Sequence, residues 1–259
     1  MKAILSCTDD ELYSFFLPIT TWSWHKIGIG SVVFIPKKRS KPFELAMSHC
    51  PVGTMWFEID VAKDREPTYF QCARLFGGFL SLPKDEILIV GDADMAVFGN
   101  EFEKATSDKI HLWGTDLVPV GQVPMCYVAM SIENWRIVMD INEGDTYMEC
   151  LEKLLGDIHV QNMRGNYWCK DQETIHDRVY DNNIPIVTYP RARGIDNKSA
   201  LRREDRDGWG QGVDIIDAHL PRPGTETNNF YKILDLFVKK YGVVECEWME
   251  KYWKEFKNT

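Results

Sequence analysis

The 259-residue chain has no apolar run near the ~18 residues that cross a bilayer as a helix, so no membrane span is expected. Its first residues, MKAILSCTDDELY, turn acidic too soon for a signal peptide, and a cytoplasmic location is the expectation. The seven cysteines, at 7, 50, 72, 126, 150, 169 and 246, form no CxxC pair and no zinc spacing. Such an odd, scattered set suits reduced thiols better than a disulfide framework. Basic charge is also short: Lys and Arg number 30 against 39 acidic residues, a net charge of −9. That balance argues against a general nucleic-acid binder, and it requires a phosphorylated substrate to meet a cation or a local basic patch. No Gly-rich phosphate loop follows the first strand; the turn reads Ser6-Cys7-Thr8-Asp9, so dinucleotide and Walker fingerprints are absent. There is no internal repeat, low-complexity tract or clear linker. What remains is 44% hydrophobic with nine Trp and thirteen Phe, enough for a sizeable core and too apolar for disorder.

The most informative stretch is Lys84 to Asn100, KDEILIVGDADMAVFGN. Ile87, Leu88, Ile89 and Val90 read as a buried strand, Gly91 loosens the backbone, and Asp92 and Asp94 follow. Asp-x-Asp at a strand's carboxyl end puts two hard oxygen donors where open α/β sheets bind ligands. Such donors suit Mg²⁺ or Mn²⁺, and the plainer alternative is ordinary turn chemistry.

Upstream, Lys2 to Thr8 reads as a first strand, and Asp9 or Asp10 as the cap of a helix with Leu12, Phe15, Phe16, Ile19 and Trp22 on one face, bent at Pro18. Ser31 to Pro36 is a second strand, completing the strand–helix–strand opening of a nucleotide-binding α/β fold. The basic run Lys37, Lys38, Arg39, Lys41 is either a solvated loop or a ligand contact. A helix over Thr68 to Leu80 ends at Gly77-Gly78 and carries Arg74, which serves either a salt bridge or a donor contact. Downstream, Lys109 to Gly114, Pro124 to Met130 and Ile184 to Tyr189 read as strands. Ser131 caps one helix, a second starts at Thr146, and a third follows Asp171-Gln172. Residues 190 to 212 are polar and Gly-punctuated, and VDIIDAHLPRPG then reads as a strand-like piece that carries Asp217 and His219 and is closed by Pro221 and Pro223. Two amphipathic helices, Asn229 to Lys240 and Val244 to Phe256, finish the chain.

Two families write a strand ending in Asp-x-Asp. HAD-type phosphatases do so at their first strand, whereas here Ala96 occupies the motif's fifth position and a long segment precedes it. The order of pieces over roughly residues 1 to 225 resembles a small GT-A glycosyltransferase, of the soluble form seen in bacteria and large DNA viruses. That resemblance implies a GT-A-like α/β fold in one catalytic domain: a nucleotide-sugar half (1–100), an acceptor half (101–225) and C-terminal helices (226–259). It implies that Ser6, Cys7, Thr8 and Asp9 hold the nucleotide with Asp92, beside which Arg74 is the further candidate contact by its place upstream of the motif, and that Asp92, Asp94 and the late His219 hold Mn²⁺ or Mg²⁺. Trp168, Asp171 and Gln172 resemble the acceptor-side motif, Asp171 being the catalytic carboxylate; Gln rather than Glu follows it. The implied partners are a nucleoside-diphosphate sugar, UDP-sugar favoured over GDP-sugar, and a glycan or glycoprotein acceptor.

The chemistry suits these residue types. Charge builds on the leaving diphosphate, which a divalent metal stabilises, and an inverting enzyme adds a carboxylate base. On residues alone, His219 is equally a core imidazole and Asp171 an N-cap. Residues 191 to 212 read as a lid over the donor or as plain surface. A metal-dependent phosphatase or nucleotidyltransferase would use the same Asp pair, and a carbohydrate-binding protein would also account for many Trp.

Overall fold

The structure, a computed structural model, describes residues 1–156, 169–190, 203–206, 209 and 215–259. The chain opens with β1 (Lys2–Ser6), α1 (Glu11–Ser14), α2 (Leu17–Lys26), β2 (Gly30–Pro36), α3 (Lys41–Ser48) and β3 (Met55–Ile59). Asp10 caps α1 by accepting from Leu12 N at 2.8 Å. The single bent helix expected here is two helices, because Pro18 sits in the first turn of α2, where its missing N–H costs nothing. α4 (Glu66–Ala73) leads into β4 (Ile87–Val90) and β5 (Met95–Val97), then β6 (Ile110–Trp113), β7 (Val128–Ser131), α5 (Ile132–Val138), α6 (Tyr147–Leu155) and α7 (Lys170–Tyr180). β8 (Ile186–Tyr189), β9 (Arg203–Glu204), β10 (Asp217–His219), α8 (Thr227–Tyr241) and α9 (Val243–Lys257) complete the described chain.

Ser131 and Thr146 cap α5 and α6 as their sequence positions predict, the latter in a full capping box with Glu149. Gly77-Gly78 does not end a helix. α4 stops at Ala73, and a 3-10 turn over Arg74–Phe79 carries the glycines. A Cβ on Gly77 would lie 2.5 Å from Ile4 Cδ1 and 2.9 Å from Leu88 Cδ1, so glycine is there to let this turn lie flat on β1 and β4.

A seven-stranded sheet runs in the order β3-β2-β1-β4-β7-β6-β8, with β7 alone antiparallel to its neighbours. Alternate residues feed two cores. Ala3, Leu5, Val33, Ile35 and Ile89 face α2, α3, α8 and α9. Ile4, Val32, Phe34, Leu88 and Val90 face α4 to α7. The helix–sheet–helix layering is the GT-A-like α/β architecture expected from the sequence. After β1 the chain moves outward to β2 and β3, then returns to the other side of β1 as β4. That reversal opens a crevice at the carboxyl ends of β1 and β4, the usual ligand position in such sheets.

The last two helices belong to the first core rather than hanging from it. Tyr252 donates to Phe15 O at 2.9 Å, and Phe230 stacks on Trp253 with centroids 4.7 Å apart. Among the described residues no helix is long and apolar enough to cross a membrane.

Candidate functional site

The loop after β4 is held from three directions. Gly91 N donates to Ile4 O at 3.0 Å, Met95 N to Asp92 O at 3.2 Å, and the buried Thr20 hydroxyl of α2 to Ala93 O at 2.7 Å. Asp92 and Asp94 therefore stand on a fixed turn at the crevice.

His219 reaches this turn through a second, three-stranded sheet, β5-β10-β9. β10 runs antiparallel to β5 with His219 opposite Met95, and Leu220 N donates to Asp94 O at 2.9 Å. The register brings His219 Nε2 to 3.2 Å from Asp94 Oδ2. Burial lowers the imidazole pKa, but Asp94 outweighs it and, with Asp92 and Asp205, holds it above its ordinary value. Arg222 Nε lies 3.4 Å and Arg206 Nη1 3.8 Å from the same carboxylate oxygen. Gly224 closes the loop: a Cβ there would meet Phe16 Cε1 at 2.5 Å, so only glycine lets the chain press this close to the α1–α2 junction.

Arg74 organises the other carboxylate. It is 7% exposed, and its Nη1 donates to Gly91 O at 2.8 Å and to Asp92 Oδ1. Its Nη2 donates to Asp171 Oδ2 at 2.9 Å, and its Nε has no partner among the described residues. Asp171 is 1% exposed in the first turn of α7; its Oδ1 accepts from Gln71 Nε2 at 3.2 Å and from its neighbour Gln172 N at 2.9 Å. It is not the N-cap, a position taken by Cys169. One cation thus bridges two carboxylates with opposite titration. Burial raises the Asp171 carboxyl despite Arg74. Burial also raises Asp92, but there Arg74 prevails, with help from His219 and Cys126, and its pKa falls.

At the end of β1, Ser6 and Thr8 are partly exposed beside the crevice. Asp9 is already committed: its oxygens accept from Ser40 Oγ at 2.6 Å and Ser40 N at 3.0 Å, with Lys63 Nζ at 3.7 Å. It braces the start of α3, while its own N–H donates to the buried Glu66 at 3.3 Å. Within the basic run, Arg39 is paired to Glu44 and Glu58. Trp168 and most of residues 191 to 212 lie outside the described residues.

Two carboxylates and an imidazole are a donor set suited to Mn²⁺ or Mg²⁺. The contact between Asp94 and His219 shows that donors from distant segments converge. Among the described residues no group of three such side chains forms a ready-made cage. Asp92 is held by the buried Arg74 and Asp94 by partly exposed cations, so the donor types fit a divalent ion that would share Asp92 with Arg74 and take Asp94 from its cations.

Sequence reasoning singled out Asp92, Asp94, His219, Arg74 and Asp171, which the fold brings together in two linked clusters. It missed Arg222, Tyr13, Gln71 and Thr20, and covered Arg206 only as part of the lid reading of residues 191 to 212. Arg222 had a signal: a cation three residues after His219, flanked by Pro221 and Pro223. Tyr13, whose hydroxyl takes a hydrogen bond from Arg222, had none.

No protein-family model matches the sequence, and no curated protein sequence matches it. Among solved structures, the chain is similar to the galactosyltransferase LgtC in complex with donor and acceptor sugar analogs, with a TM-score of 0.51 and 11% identity over 98% of this chain and 96% of that one. It is similar also to an active-site glutamine-to-glutamate mutant of LgtC, with a TM-score of 0.52 and 13% identity over 94% of this chain and 97% of that one. The glycosyltransferase GlyE of Streptococcus pneumoniae TIGR4 gives a TM-score of 0.45 and 10% identity over 72% of this chain and 44% of that one. At the identities of the LgtC pair, what is shared is the fold.

Proposed function

We propose that the chain is a metal-dependent glycosyltransferase moving a sugar from a nucleoside-diphosphate sugar, UDP-sugar favoured, to a hydroxyl of a glycan or glycoprotein acceptor. The observation that carries this reading is the meeting of Asp94 and His219 at 3.2 Å beside the β1–β4 crevice, from segments 125 residues apart. A fold shared along nearly the whole length of LgtC, itself a galactosyltransferase, supports it.

Asp92, Asp94 and His219 would hold Mn²⁺ or Mg²⁺, whose chemistry is to stabilise charge on the leaving diphosphate. Ser6 and Thr8 border the place for the nucleoside, and Asp9 shapes that place by bracing α3. Arg74 would give its unmet Nε donor to the donor sugar or its phosphate, and that orphaned N–H supports the assignment. Environments that push two carboxylates apart in pKa separate their roles. Asp92 stays ionised as a ligand, while Asp171 keeps the higher affinity for a proton and is the candidate base if the reaction inverts. Gln172 stands beside Asp171 to bind acceptor hydroxyls; in LgtC, too, a glutamine belongs to the active site. The Trp residues favour this reading over a carbohydrate-binding module, because Trp24, Trp113 and Trp135 are core and no described Trp is fully exposed.

A panel of nucleotide sugars with Mn²⁺, scored for nucleoside diphosphate release with and without candidate acceptors, tests the proposal. Turnover of one donor, abolished by EDTA, is expected. Release of phosphate or pyrophosphate without sugar transfer would point to a phosphatase or nucleotidyltransferase, and glycan binding untouched by EDTA to a binding protein.

A further inference from the structure

Asp94 is surrounded by more positive charge than one carboxylate needs. His219 Nε2, Arg222 Nε and Arg206 Nη1 stand 3.2, 3.4 and 3.8 Å from its Oδ2. Neither arginine makes the two-pronged pairing that guanidinium groups favour with a carboxylate. Arg222 turns Nη1 away to donate to the Tyr13 hydroxyl at 2.5 Å, with its guanidinium 5.0 Å from the centre of that ring. Arg206 Nη1 is buried and has no hydrogen-bond partner among the described residues. A buried N–H without an acceptor is costly, and it marks a place for one.

We propose that Arg222 and Arg206 are internal counter-ions of the metal site. In the metal-free protein they neutralise Asp94, and when a divalent cation takes that carboxylate they turn to the nucleotide's diphosphate. The inference rests on the metal–diphosphate site proposed above. A divalent ion at Asp94 repels both guanidinium groups, while the diphosphate supplies the oxygens that such groups bind well. Arg222 is well placed for the exchange. Its loop is anchored on one side by Leu220 N on Asp94 O and on the other by the close approach of Gly224 to Phe15 and Phe16. Its Tyr13 contact lies in α1, just after the β1 loop that borders the nucleoside's place.

Two opposite signs follow, which no merely structural ion pair would give. Each arginine competes with the metal when the metal comes alone, and assists when the metal comes with a diphosphate. Metal and nucleotide then bind cooperatively, because each removes a cost that the other would meet.

The test is Mn²⁺ binding, by electron paramagnetic resonance of the free ion or by calorimetry, to the wild-type chain and to Arg222→Gln, with and without UDP. Mn²⁺ alone should bind Arg222→Gln about two- to fivefold more tightly, the scale of a partly solvated ion pair. UDP should bind the Mn²⁺-loaded variant about tenfold more weakly, the scale of a lost charge-assisted hydrogen bond. Arg206→Gln should shift both constants in the same directions, which keeps the test decisive if Arg222→Gln fails to fold. Mn²⁺ affinity unchanged or weakened in both variants overturns the counter-ion role and leaves the metal site standing. Absence of Mn²⁺ binding in wild type and variants alike, with and without UDP, overturns the metal site and this inference together.

Discussion

Asp92 and Asp94 are separated by one residue, yet they sit in opposite kinds of electrostatic surroundings. The Asp92 side chain is 32% exposed, but its partner Arg74 is 9% exposed and the far end of that network, Asp171, 1%. Asp94 is the reverse: its own side chain is 6% exposed, while His219, Arg222 and Arg206 are 21%, 21% and 30% exposed. Burial of the partners, not of the carboxylate, decides what each cluster can do. Buried partners cannot leave without an uncompensated charge, so the Arg74 network is part of the fold. Partners near water can be exchanged cheaply, so the Asp94 cluster can trade cations for a ligand.

Breaking each cluster at its arginine measures that contrast directly. Arg74→Met strands two carboxylates, one fully buried, and should cost about 3–5 kcal/mol, lowering the melting temperature by roughly 10 °C. Arg222→Met should cost less than about 1 kcal/mol. Equal costs in chemical unfolding would erase the distinction between the clusters.

Within the buried network, Asp171→Asn keeps the shape and removes the proton acceptor. Sugar transfer should fall by about 10²-fold or more, the scale of a lost general base, with UDP binding retained. Near-normal transfer would leave Asp171 only the task of holding Arg74.

On the open side, Gly224→Ala forces a methyl group against Phe15 and Phe16 and should cost about 1–3 kcal/mol through overpacking. Because that loop carries Arg222 and follows His219, metal affinity should fall with it; unaltered Mn²⁺ binding would detach the loop's packing from the site.

The smallest effect concerns a histidine that contrasts with His219. His111 is buried, its Nε2 accepts from Thr106 N at 2.9 Å and its Nδ1 lies 3.0 Å from the Tyr189 hydroxyl. Burial, with Lys109 nearby, holds its pKa below the ordinary value. A depressed folded-state pKa means that stability is full above the unfolded value of about 6.5 and is lost as pH falls from there toward the folded pKa. Wild type should therefore lose more stability than His111→Phe between pH 7.5 and 5.5 in urea unfolding. Parallel losses would assign the pH dependence to other groups.

Much of the framework was legible in the sequence, and for a physical reason. β1, β2, β4 and β6 are nearly continuous apolar runs because both faces of the sheet are covered. Caps such as Ser131 and Thr146 act within three residues and so announce themselves locally. α3 and β3 escaped notice; β3 is an edge strand whose residues are mostly half-buried or exposed, leaving little pattern. β10 falls in the strand-like stretch VDIIDAHLPRPG, whereas β5, three residues long, forms by pairing with β10 across the chain rather than by local propensity. The same divide holds at the site. Asp92 and Asp94 could be singled out from residue type and strand-end position, and His219 through the family resemblance. Their surroundings could not, because Arg222 meets Tyr13 across 209 residues and Asp9 is spent on Ser40 across 31.

The central claim is that Asp94, at the end of β4, anchors a metal and a diphosphate, and thermal unfolding of wild type and Asp94→Asn with and without UDP and Mn²⁺ tests it most directly. At ligand ~100-fold above Kd, wild type should gain about 2–3 kcal/mol. Asp94→Asn should lose most of that gain while its ligand-free stability stays close to wild type. An equal ligand-induced shift in both proteins would contradict the account.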